Sequence, residues 1–213
     1  MAKLAVSGKM CSGKTTVSNL IMSIYPYFSR VVIAEPLKEL AQACTLDGVA
    51  RDTVVGRILL RLFDGRPSLG VSALRAFEER RSQNTDVFDK GEKPRRFLQD
   101  LGTDFRALDP DVWVRDAVNR SGSRIHLICD DLRFGNEAGA FMRAGWKLIR
   151  CVIPEEQRLL RVEEVYGDYP QELLEHASEV GLDHWDRWDY QLDTSVPLKE
   201  QEGKVIEMME VFV

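Results

Sequence analysis

Short apolar runs alternate along the chain with segments whose apolar residues recur at helical spacing. Residues 3–7 read KLAVS and residues 30–34 read RVVIA, and both have the length of a buried strand. After the first run, KTTVSNLIMSIY carries apolar residues every three or four positions, which predicts a helix. After the second, Glu35-Pro36 ends the run and LKELAQAC begins a helix. This order is typical of a parallel sheet covered by helices.

The second half of the chain repeats the alternation. RIHLICDDLR predicts a third strand over about 125–129 that ends in two aspartates, and NEAGAFMRAG predicts a helix that stops at Gly145. WKLIRCVI predicts a fourth strand over 146–153, and DYQLD predicts a short fifth one. LKEQEGKVIEMMEVFV predicts a closing helix, weakened by Gly203. We therefore expect an α/β fold with a central, mainly parallel sheet of about five strands.

A long helical stretch interrupts this alternation. Over 46–95, GVARDTVVGRILLRLF and SALRAFEERRSQ have helical spacing, whereas DGRPSLG and DKGEKP have the composition of turns. We predict a helical insertion in the sheet there. PRRFLQDLGTDFR then predicts a helix ended by Gly102, and Asp109-Pro110 predicts the cap and first turn of the helix DVWVRDAVNR.

Length and composition limit the class of protein. A chain of 213 residues suits one α/β domain over 1–213, in which we expect the polar, arginine-bearing residues 154–188 to form a lid region that is mobile in part. The net charge is −5 and no long basic block occurs, so we expect no nucleic-acid partner. No apolar run approaches the roughly 20 residues that span a bilayer, so we expect no membrane contact.

The cellular location follows from the start of the chain and from its cysteines. MAKLAVSG runs directly into a glycine-rich segment and leaves no room for an export signal. The four cysteines include no C-x-x-C pair, which suits reduced thiols. We therefore expect a cytoplasmic protein.

The strongest chemical signal is SGKMCSGKTT, in which Gly8–Thr15 read G-x-x-x-x-G-K-T between a predicted strand and a predicted helix. Backbone N–H groups of such a loop form an anion cradle, and the helix adds its positive N-terminal end. Lys14 can reach the β- and γ-phosphates, and Thr15 can place its hydroxyl on Mg²⁺. We therefore predict a P-loop NTPase three-layer sandwich that binds ATP through Gly8, Ser12, Gly13, Lys14, Thr15 and Thr16.

Two adjacent aspartates provide a second candidate cluster. Asp130 and Asp131 follow an apolar strand, where a carboxylate can hold Mg²⁺ beside the Thr15 hydroxyl. Ligands of parallel sheets bind at the carboxyl ends of the strands, where the glycine loop, EPLK and DDLR all fall. We expect these clusters to converge on one crevice, with Thr15, Asp130 and Asp131 as metal ligands. A helix cap or a solvated strand end is the alternative for the aspartates.

The other motifs of the chain limit the class of nucleotide-binding protein. A guanine-nucleotide switch carries N-K-x-D, which this chain does not contain, and a motor or helicase would be larger. A small-molecule kinase fits better. No obvious catalytic base stands out, and an acceptor that is itself a phosphate needs none, because its oxygen is already ionised. This favours a nucleoside monophosphate kinase or another kinase with a phosphate acceptor.

Arginines offer positive charge for such an acceptor, because guanidinium groups bind phosphate through two hydrogen bonds. They fall in three segments: directly after the strand-end aspartates, at the start of and after the RRFLQ helix, and in the lid region. These residues are Arg133; Arg95, Arg96 and Arg106; and Arg158 and Arg161. For Arg106 and Arg161 a solvated helix face is an equal alternative.

Several segments, taken in order, resemble the bacteriophage-type deoxynucleoside monophosphate kinases. The glycine loop is followed by a strand-end PLK and by RRFLQDLGTD, then by a tryptophan, a D-x-R…E pattern and a histidine-acid element. These are Pro36-Leu37-Lys38, Arg95 to Asp104, Trp113, Asp131 with Arg133 and Glu137, and His176 to Glu179. The order and approximate spacing hold over most of the chain.

The resemblance implies a kinase that transfers the ATP γ-phosphate to a deoxynucleoside monophosphate (dNMP), with ATP and Mg²⁺ bound. Catalysis would rest on Lys14, Arg133 and Arg158. The acceptor site would comprise Lys9, Leu37, Lys38, Arg95, Arg96, Gln99, Gly102, Thr103, Trp113, Asp131, Arg133 and Glu137. A core position is an equal alternative for Trp113, and a lid or helix-end position for His176.

The partners implied by the resemblance are small-molecule nucleotides, in the host cytoplasm if the chain is phage-encoded. Base preference stays open, and so does the oligomeric state, for which a homodimer is one candidate. Two rival functions also stay open. One is a kinase for another phosphorylated metabolite, of the phosphomevalonate or dephospho-coenzyme A type, and the other is a non-kinase ATP-binding regulator.

Overall fold

A sheet of five parallel strands forms the centre of the fold. The computed structural model describes residues 2–89, 94–167, 174 and 177–212. The strands run in the order β2-β3-β1-β4-β5, and each neighbouring pair is parallel. They are β1 Lys3–Ser7, β2 Ser29–Arg30, β3 Leu127–Leu132, β4 Lys147–Val152 and β5 Tyr190–Asp193. The predicted α/β class, with a parallel sheet flanked by helices in the manner of a P-loop NTPase, is confirmed.

The helices divide between two compact units. The sheet unit comprises the chain up to Val32 and from Arg120 onward, and the helical unit is Ile33–Asn119, which includes the predicted insertion 46–95. In chain order the helices are α1 Lys14–Ile24, α2 Glu35–Ala43, α3 Gly48–Leu62, α4 Pro67–Ser82, α5 Thr85–Asp89, α6 Arg95–Leu108, α7 Val112–Ser121, α8 Gly135–Arg143, α9 Glu155–Tyr166, α10 Ala177–Val180 and α11 Leu198–Phe212.

The core of the sheet unit follows from the alternation of side chains along its strands. Leu4 and Val6 of β1 are fully buried and belong to one apolar cluster with Ile21 of α1 and Met208 of α11. Successive strand residues point to opposite faces, so the buried Ala5 lies on the other face. Helices therefore cover a sheet whose central strand is apolar on both sides.

The second strand is shorter than its apolar run predicts. The prediction was 30–34, whereas β2 is Ser29–Arg30, with one further backbone bond from Val31 N to Ile128 O at 2.8 Å. The apolar side chains of Val31 and Ile33 are buried, so burial rather than strand pairing explains the run. Pro36 was expected to stop the strand but lies in the first turn of α2, where its missing N–H costs no helix bond.

The third strand continues past its predicted end and carries a bulge. Ala5 of β1 pairs with Cys129, and Ser7 pairs with Leu132, so β3 has one more residue than β1 between these pairs. The extra length falls at Asp130 and Asp131, which are partly exposed in an otherwise buried strand. A bulge changes the direction of the side chains at its position. It brings two consecutive carboxylates to the carboxyl end of the strand.

Gly102 does not end its helix, as had been predicted. Helix α6 continues through it to Leu108, and Gly102 is buried. A Cβ atom at this position would lie 3.3 Å from Cδ2 of Leu37, so the glycine permits α6 to approach α2 closely. Similarly, α4 begins at Pro67, so only the first part of DGRPSLG forms a turn.

The predicted lid region contains the regular helix α9 and the short helix α10. His176 and most of the predicted turn DKGEKP lie outside the described residues. Within those residues, no helix is long and apolar enough to cross a membrane.

Candidate phosphate-binding site

The loop between β1 and α1 has a backbone that depends on its glycines. Gly13 and Cys11 have φ angles of +84° and +60°, in the left-handed region that favours glycine. A Cβ atom on Gly13 would also lie 3.3 Å from Cβ of Thr194. At Gly8 it would lie 2.2 Å from Oγ of Ser12, which no real contact permits. Both glycines of the motif are therefore required by the packing of the loop.

The side chain of Lys14 folds back onto this loop. Its Nζ donates hydrogen bonds to the carbonyl oxygens of Gly8 at 2.6 Å and Lys9 at 2.7 Å. Burial, and then the positive charge of Arg133, lower the pKa of Lys14 to about 8. A charged amine in such surroundings lacks a full counter-charge, so an anion in the loop would stabilise it. This arrangement supports the predicted role of Lys14 in binding phosphate.

Thr194, which follows β5, is hydrogen-bonded to the loop. Its Oγ1 lies 2.8 Å from the carbonyl oxygen of Ser12 and 3.0 Å from that of Val152, so these two acceptors share its single hydrogen, and the residue is fully buried. Its own carbonyl accepts from Arg161 at 2.8 Å and Gln201 at 3.2 Å. Sequence analysis missed Thr194. Its position directly after the fifth predicted strand, at the carboxyl end of a parallel sheet, was the available signal.

The two aspartates predicted to hold Mg²⁺ lie beside the start of the loop. Asp131 immediately precedes Leu132, which pairs with Ser7 at the end of β1. Its Oδ1 accepts a bond from the Cys129 thiol at 3.1 Å, whereas Asp130 pairs with Arg30 at 3.4 Å. Thr15 is exposed in the first turn of α1. Mg²⁺ binds oxygen ligands and usually keeps waters and substrate phosphates, so a hydroxyl and one or two carboxylates fit it.

Arg133 is connected to the loop through Glu179. Arg133 Nη1 donates to Oε1 of Glu179 at 2.5 Å, and the other carboxylate oxygen accepts from the backbone N–H of Met10 at 2.5 Å. Gly181 allows the segment after α10 to approach Arg133 closely, because a Cβ on this residue would lie 2.8 Å from the Arg133 carbonyl oxygen. A carboxylate thus bonds both a backbone N–H of the loop and the guanidinium that we expect to bind phosphate.

Arg158, the predicted lid arginine, also contacts the loop. It is 3% exposed on α9, and its Nη1 donates to the Met10 carbonyl oxygen at 3.2 Å. Its Nε and Nη2 donate to the two carboxylate oxygens of Glu155 at 2.8 and 2.5 Å. The hydrogen bond from Arg158 lowers the pKa of Glu155. Arg158 is therefore fixed at the loop before any ligand binds.

Arg150 is a third arginine here, and sequence analysis did not select it. Its Nη1 donates to Oγ of Ser7 at 3.4 Å, and its Nη2 donates to Oδ1 of Asp183 at 3.1 Å. Lys9 pairs with the same aspartate at 3.0 Å. A charged residue inside the apolar run WKLIRCVI was the signal, because arginine is rarely buried without a partner.

Two predicted acceptor residues have structural partners. Glu137 is buried, and its Oε2 accepts from the backbone N–H groups of Arg133 at 2.9 Å and Phe134 at 3.1 Å, so it caps the start of α8. Trp113 is 2% exposed, stacks on Phe105 with ring centroids 5.3 Å apart, and donates from Nε1 to the Gly102 carbonyl oxygen at 3.3 Å. Trp113 therefore lies in the core of the helical unit.

The other predicted acceptor residues of the helical unit lie on α2 and α6. Lys38, Arg96, Gln99 and Thr103 are exposed, Leu37 is half-buried, and the side chain of Arg95 is not described. Arg96 approaches Asp100 at 3.6 Å, and the Thr103 hydroxyl donates to the Gln99 carbonyl oxygen of its own helix at 2.9 Å. Their part in an acceptor site rests on the family resemblance alone.

Comparisons with known proteins add support for the fold. No family model matches the chain, and no curated protein matches it. Among solved structures, the chain is similar to the crystal structure of TT1252 from Thermus thermophilus, with 20% identity, a TM-score of 0.54 and 100% of both chains covered. At this identity the likeness extends to the fold alone. Fold and loop together define an α/β protein of the P-loop NTPase type.

Proposed function

We propose that this protein is a kinase that transfers the γ-phosphate of Mg-ATP to a dNMP, giving ADP and a deoxynucleoside diphosphate. The observation that carries the proposal is the loop from Gly8 to Thr15, which joins the central strand to α1 with Lys14 folded into it. Phosphate cradles of nucleotide-using enzymes have this construction.

The donor phosphates would lie along the backbone of the loop. On binding, the amine of Lys14 would exchange its bonds to the Gly8 and Lys9 carbonyl oxygens for bonds to the β- and γ-phosphates. Thr15 and Asp131 would hold Mg²⁺, which would supply positive charge to offset the negative charge of the phosphates. The chain itself supplies position and positive charge, which are the main requirements of phosphoryl transfer.

A phosphate acceptor is favoured by the cations around the loop. Arg158 bonds a loop carbonyl, Arg150 bonds the residue before the loop, and Arg133 shares the carboxylate that bonds the loop N–H. An ionised acceptor oxygen would attack the γ-phosphorus as the bond to the β–γ bridging oxygen breaks, with that electron pair leaving on ADP. The guanidinium groups would offset the repulsion between two anionic substrates.

The test is ADP formation from Mg-ATP by purified protein, with each dNMP and each ribonucleoside monophosphate offered separately. We expect ADP to form only with an acceptor and the matching diphosphate to appear in equal amount. ADP formation without an acceptor would instead indicate an ATPase. No turnover with any nucleotide, in protein that binds ATP, would reject the proposal in favour of a different phosphorylated acceptor or a regulator.

A further inference from the structure

The carboxylate of Glu179 lies between two groups that the proposed function assigns to phosphate. One of its oxygens accepts a hydrogen bond from the backbone N–H of Met10 in the glycine loop at 2.5 Å, and the other accepts from Nη1 of Arg133 at 2.5 Å. The side chain of Glu179 is 8% exposed. A carboxylate and a phosphate group are both anions that accept hydrogen bonds from the same donors. Glu179 is therefore bound at the loop as a phosphate oxygen would be.

The charge of Glu179 also acts on Lys14. Burial is the main cause of the lowered pKa of Lys14, the positive charge of Arg133 lowers that pKa further, and the negative charge of Glu179 opposes both. In the unliganded protein, Glu179 thus offsets part of the positive charge that Lys14 and Arg133 offer to a substrate. A phosphate group that approaches these two cations meets a negative charge that is already in place.

Glu179 lies on α10, which is packed against the connection between β3 and α8. A Cβ atom on Gly181 would lie 2.8 Å from the carbonyl oxygen of Arg133 and 3.2 Å from Cδ1 of Phe134. This close packing limits movement of the backbone that carries Glu179. A rotation of the side chain is nevertheless enough to release the N–H of Met10, so a competing anion can take the place of the carboxylate while the backbone stays where it is.

We propose that Glu179 occupies, in the unliganded protein, the position of the transferred phosphate, and that the γ-phosphate of the donor nucleotide displaces it. The N–H groups of the loop face the donor, and we place Arg133 on the acceptor side, so a group bonded to both stands where the γ-phosphate would lie. The inference rests on the proposed function. It makes Glu179 a residue that distinguishes ATP from ADP, because ADP has no γ-phosphate and leaves the carboxylate in place.

The test compares two nucleotides that differ by the γ-phosphate. Calorimetry without acceptor measures the binding of Mg-ADP and of the Mg complex of the non-hydrolysable β,γ-imido analogue of ATP to the wild type and to Glu179→Gln. Binding of a dNMP is measured in parallel. Glutamine keeps the length of the side chain and an oxygen that can accept from the loop N–H, but it lacks the charge. We expect the variant to bind the ATP analogue about tenfold more tightly than the wild type does, and ADP within about twofold.

The variants are chosen so that folding does not obscure the result. The side chain of Arg133 is 36% exposed, so water can solvate it when residue 179 is neutral, and Glu179→Gln should fold. Glu179→Asp keeps the charge but is too short to bond both partners, and we expect it to bind the ATP analogue about threefold more tightly than the wild type does. Glu156→Gln, which removes an exposed carboxylate of α9, is the matched control and should leave both nucleotide affinities unchanged.

Three results would overturn the inference. Equal changes in the affinities for ADP and the ATP analogue would show that Glu179 only supports the structure of the loop, which both nucleotides use. Tighter binding of the dNMP, with an unchanged ratio of the two nucleotide affinities, would place the carboxylate at the acceptor phosphate instead. Failure of the wild type and of every variant to bind either nucleotide would reject the glycine loop as a nucleotide site, and the proposed function with it.

Discussion

The hydroxyl of Thr194 donates a hydrogen bond to the carbonyl oxygen of Ser12 at 2.8 Å, which joins the end of the last strand to the middle of the glycine loop. The backbone N–H of Thr194 donates to the carbonyl oxygen of Val152, at the end of β4, at 2.9 Å. Three neighbouring strands of a parallel sheet are thereby connected at their carboxyl ends. The loop therefore has a fixed shape before a phosphate arrives, which lowers the entropic cost of binding one.

Thr194→Val should loosen the loop while it preserves the shape of the side chain. The loss of the hydroxyl removes the bond to the Ser12 carbonyl oxygen, whereas Val152 keeps its bond from the Thr194 backbone N–H at 2.9 Å, so we expect about 1 to 2 kcal/mol lower stability and about 3 to 6 °C lower Tm. The KM for ATP should rise about fivefold. Thermal unfolding and steady-state kinetics check both effects. Thr53→Val, which removes an exposed hydroxyl bond within α3, should change neither. An unchanged KM for ATP would show that this anchor does not shape the site.

Lys14→Ala should abolish transfer and leave the fold intact. The amine is buried with a lowered pKa, so its removal also removes the cost of burying a charge, which offsets the loss of its bonds to the Gly8 and Lys9 carbonyl oxygens, and we expect little change in Tm. We expect kcat to fall about 1,000-fold, because the variant lacks the positive charge that stabilises the transferring phosphoryl group. Lys199→Ala, at an exposed position of α11, is the matched control. Near-normal turnover in folded Lys14→Ala would reject the loop as the donor site.

Arg133→Ala should mainly impair the use of the acceptor. Its guanidinium shares Glu179 with the loop rather than contacting the loop directly, so we place it on the acceptor side of the transferred phosphate. We expect the KM for the acceptor to rise about tenfold, with the KM for ATP within about twofold of the wild type. Substrate titrations measure each constant separately. Arg143→Ala, at an exposed position of α8, is the control. A rise in the KM for ATP alone would contradict this placement.

ATP binding should take up a proton through Lys14. Its pKa is about 8 in the unliganded protein, so about half of the molecules carry a neutral amine at pH 8. The phosphates would favour the charged form, so binding should take up about half a proton at pH 8 and about a tenth at pH 7. Calorimetry in two buffers of different ionisation enthalpy measures this number. Lys14→Met should remove the uptake, and wild-type binding without uptake at pH 8 would be inconsistent with a neutral amine.

Asp109 should stabilise the helical unit in a pH-dependent way. Burial alone would raise the pKa of its carboxyl, but hydrogen bonds from Arg115 and Arg66 outweigh burial and lower it from 3.8 to about 2. Because the folded pKa is the lower one, this stabilisation is present above pH 4 and is lost as the pH falls towards 2. Asp109→Asn should therefore cost about 1 to 2 kcal/mol at pH 7 and less at pH 3.

Urea unfolding at the two pH values measures that difference. Asp64→Asn, which alters an exposed carboxylate of the same unit, is the control. An equal loss of stability at pH 7 and pH 3 for Asp109→Asn would show that the ion pairs with the two arginines do not supply the stabilisation.

Much of the sheet unit was predictable because its signals are local. The fourth strand was predicted over 146–153 and found at Lys147–Val152, and the fifth strand and last helix agree equally well. The glycine loop was predictable because its spacing, its flanking strand and its flanking helix are all contiguous in sequence. Each of these features is determined within a dozen or so residues.

The incorrect predictions arise where one local sequence pattern can form either of two structures. A glycine near the end of a helical pattern can be a stop or a point of close approach, and only the position of Leu37 identifies Gly102 as the second. Likewise, an apolar run can be a paired strand or a buried connection, which is why β2 is shorter than predicted. Neither ambiguity can be resolved without the packing partner.

The site was partly predictable because some of its residues belong to motifs that are local in sequence. Lys14, Arg133 and Arg158 were selected from motifs and strand ends, and all three lie at the loop or share a residue that bonds it. Thr194 acts through hydrogen bonds to backbone that is distant in sequence. No spacing rule reports such contacts, so geometry was needed to find them.

The bond between Thr194 and Ser12 also has a consequence for synthesis of the chain on the ribosome. The two residues are 182 positions apart, so the glycine loop emerges long before its anchor exists. Contacts of such separation form late in folding. The nascent chain can complete its early strands and helices, but its loop should acquire its final shape only after residue 194 has left the exit tunnel. A polypeptide stalled before that point would carry the full motif and bind nucleotide poorly.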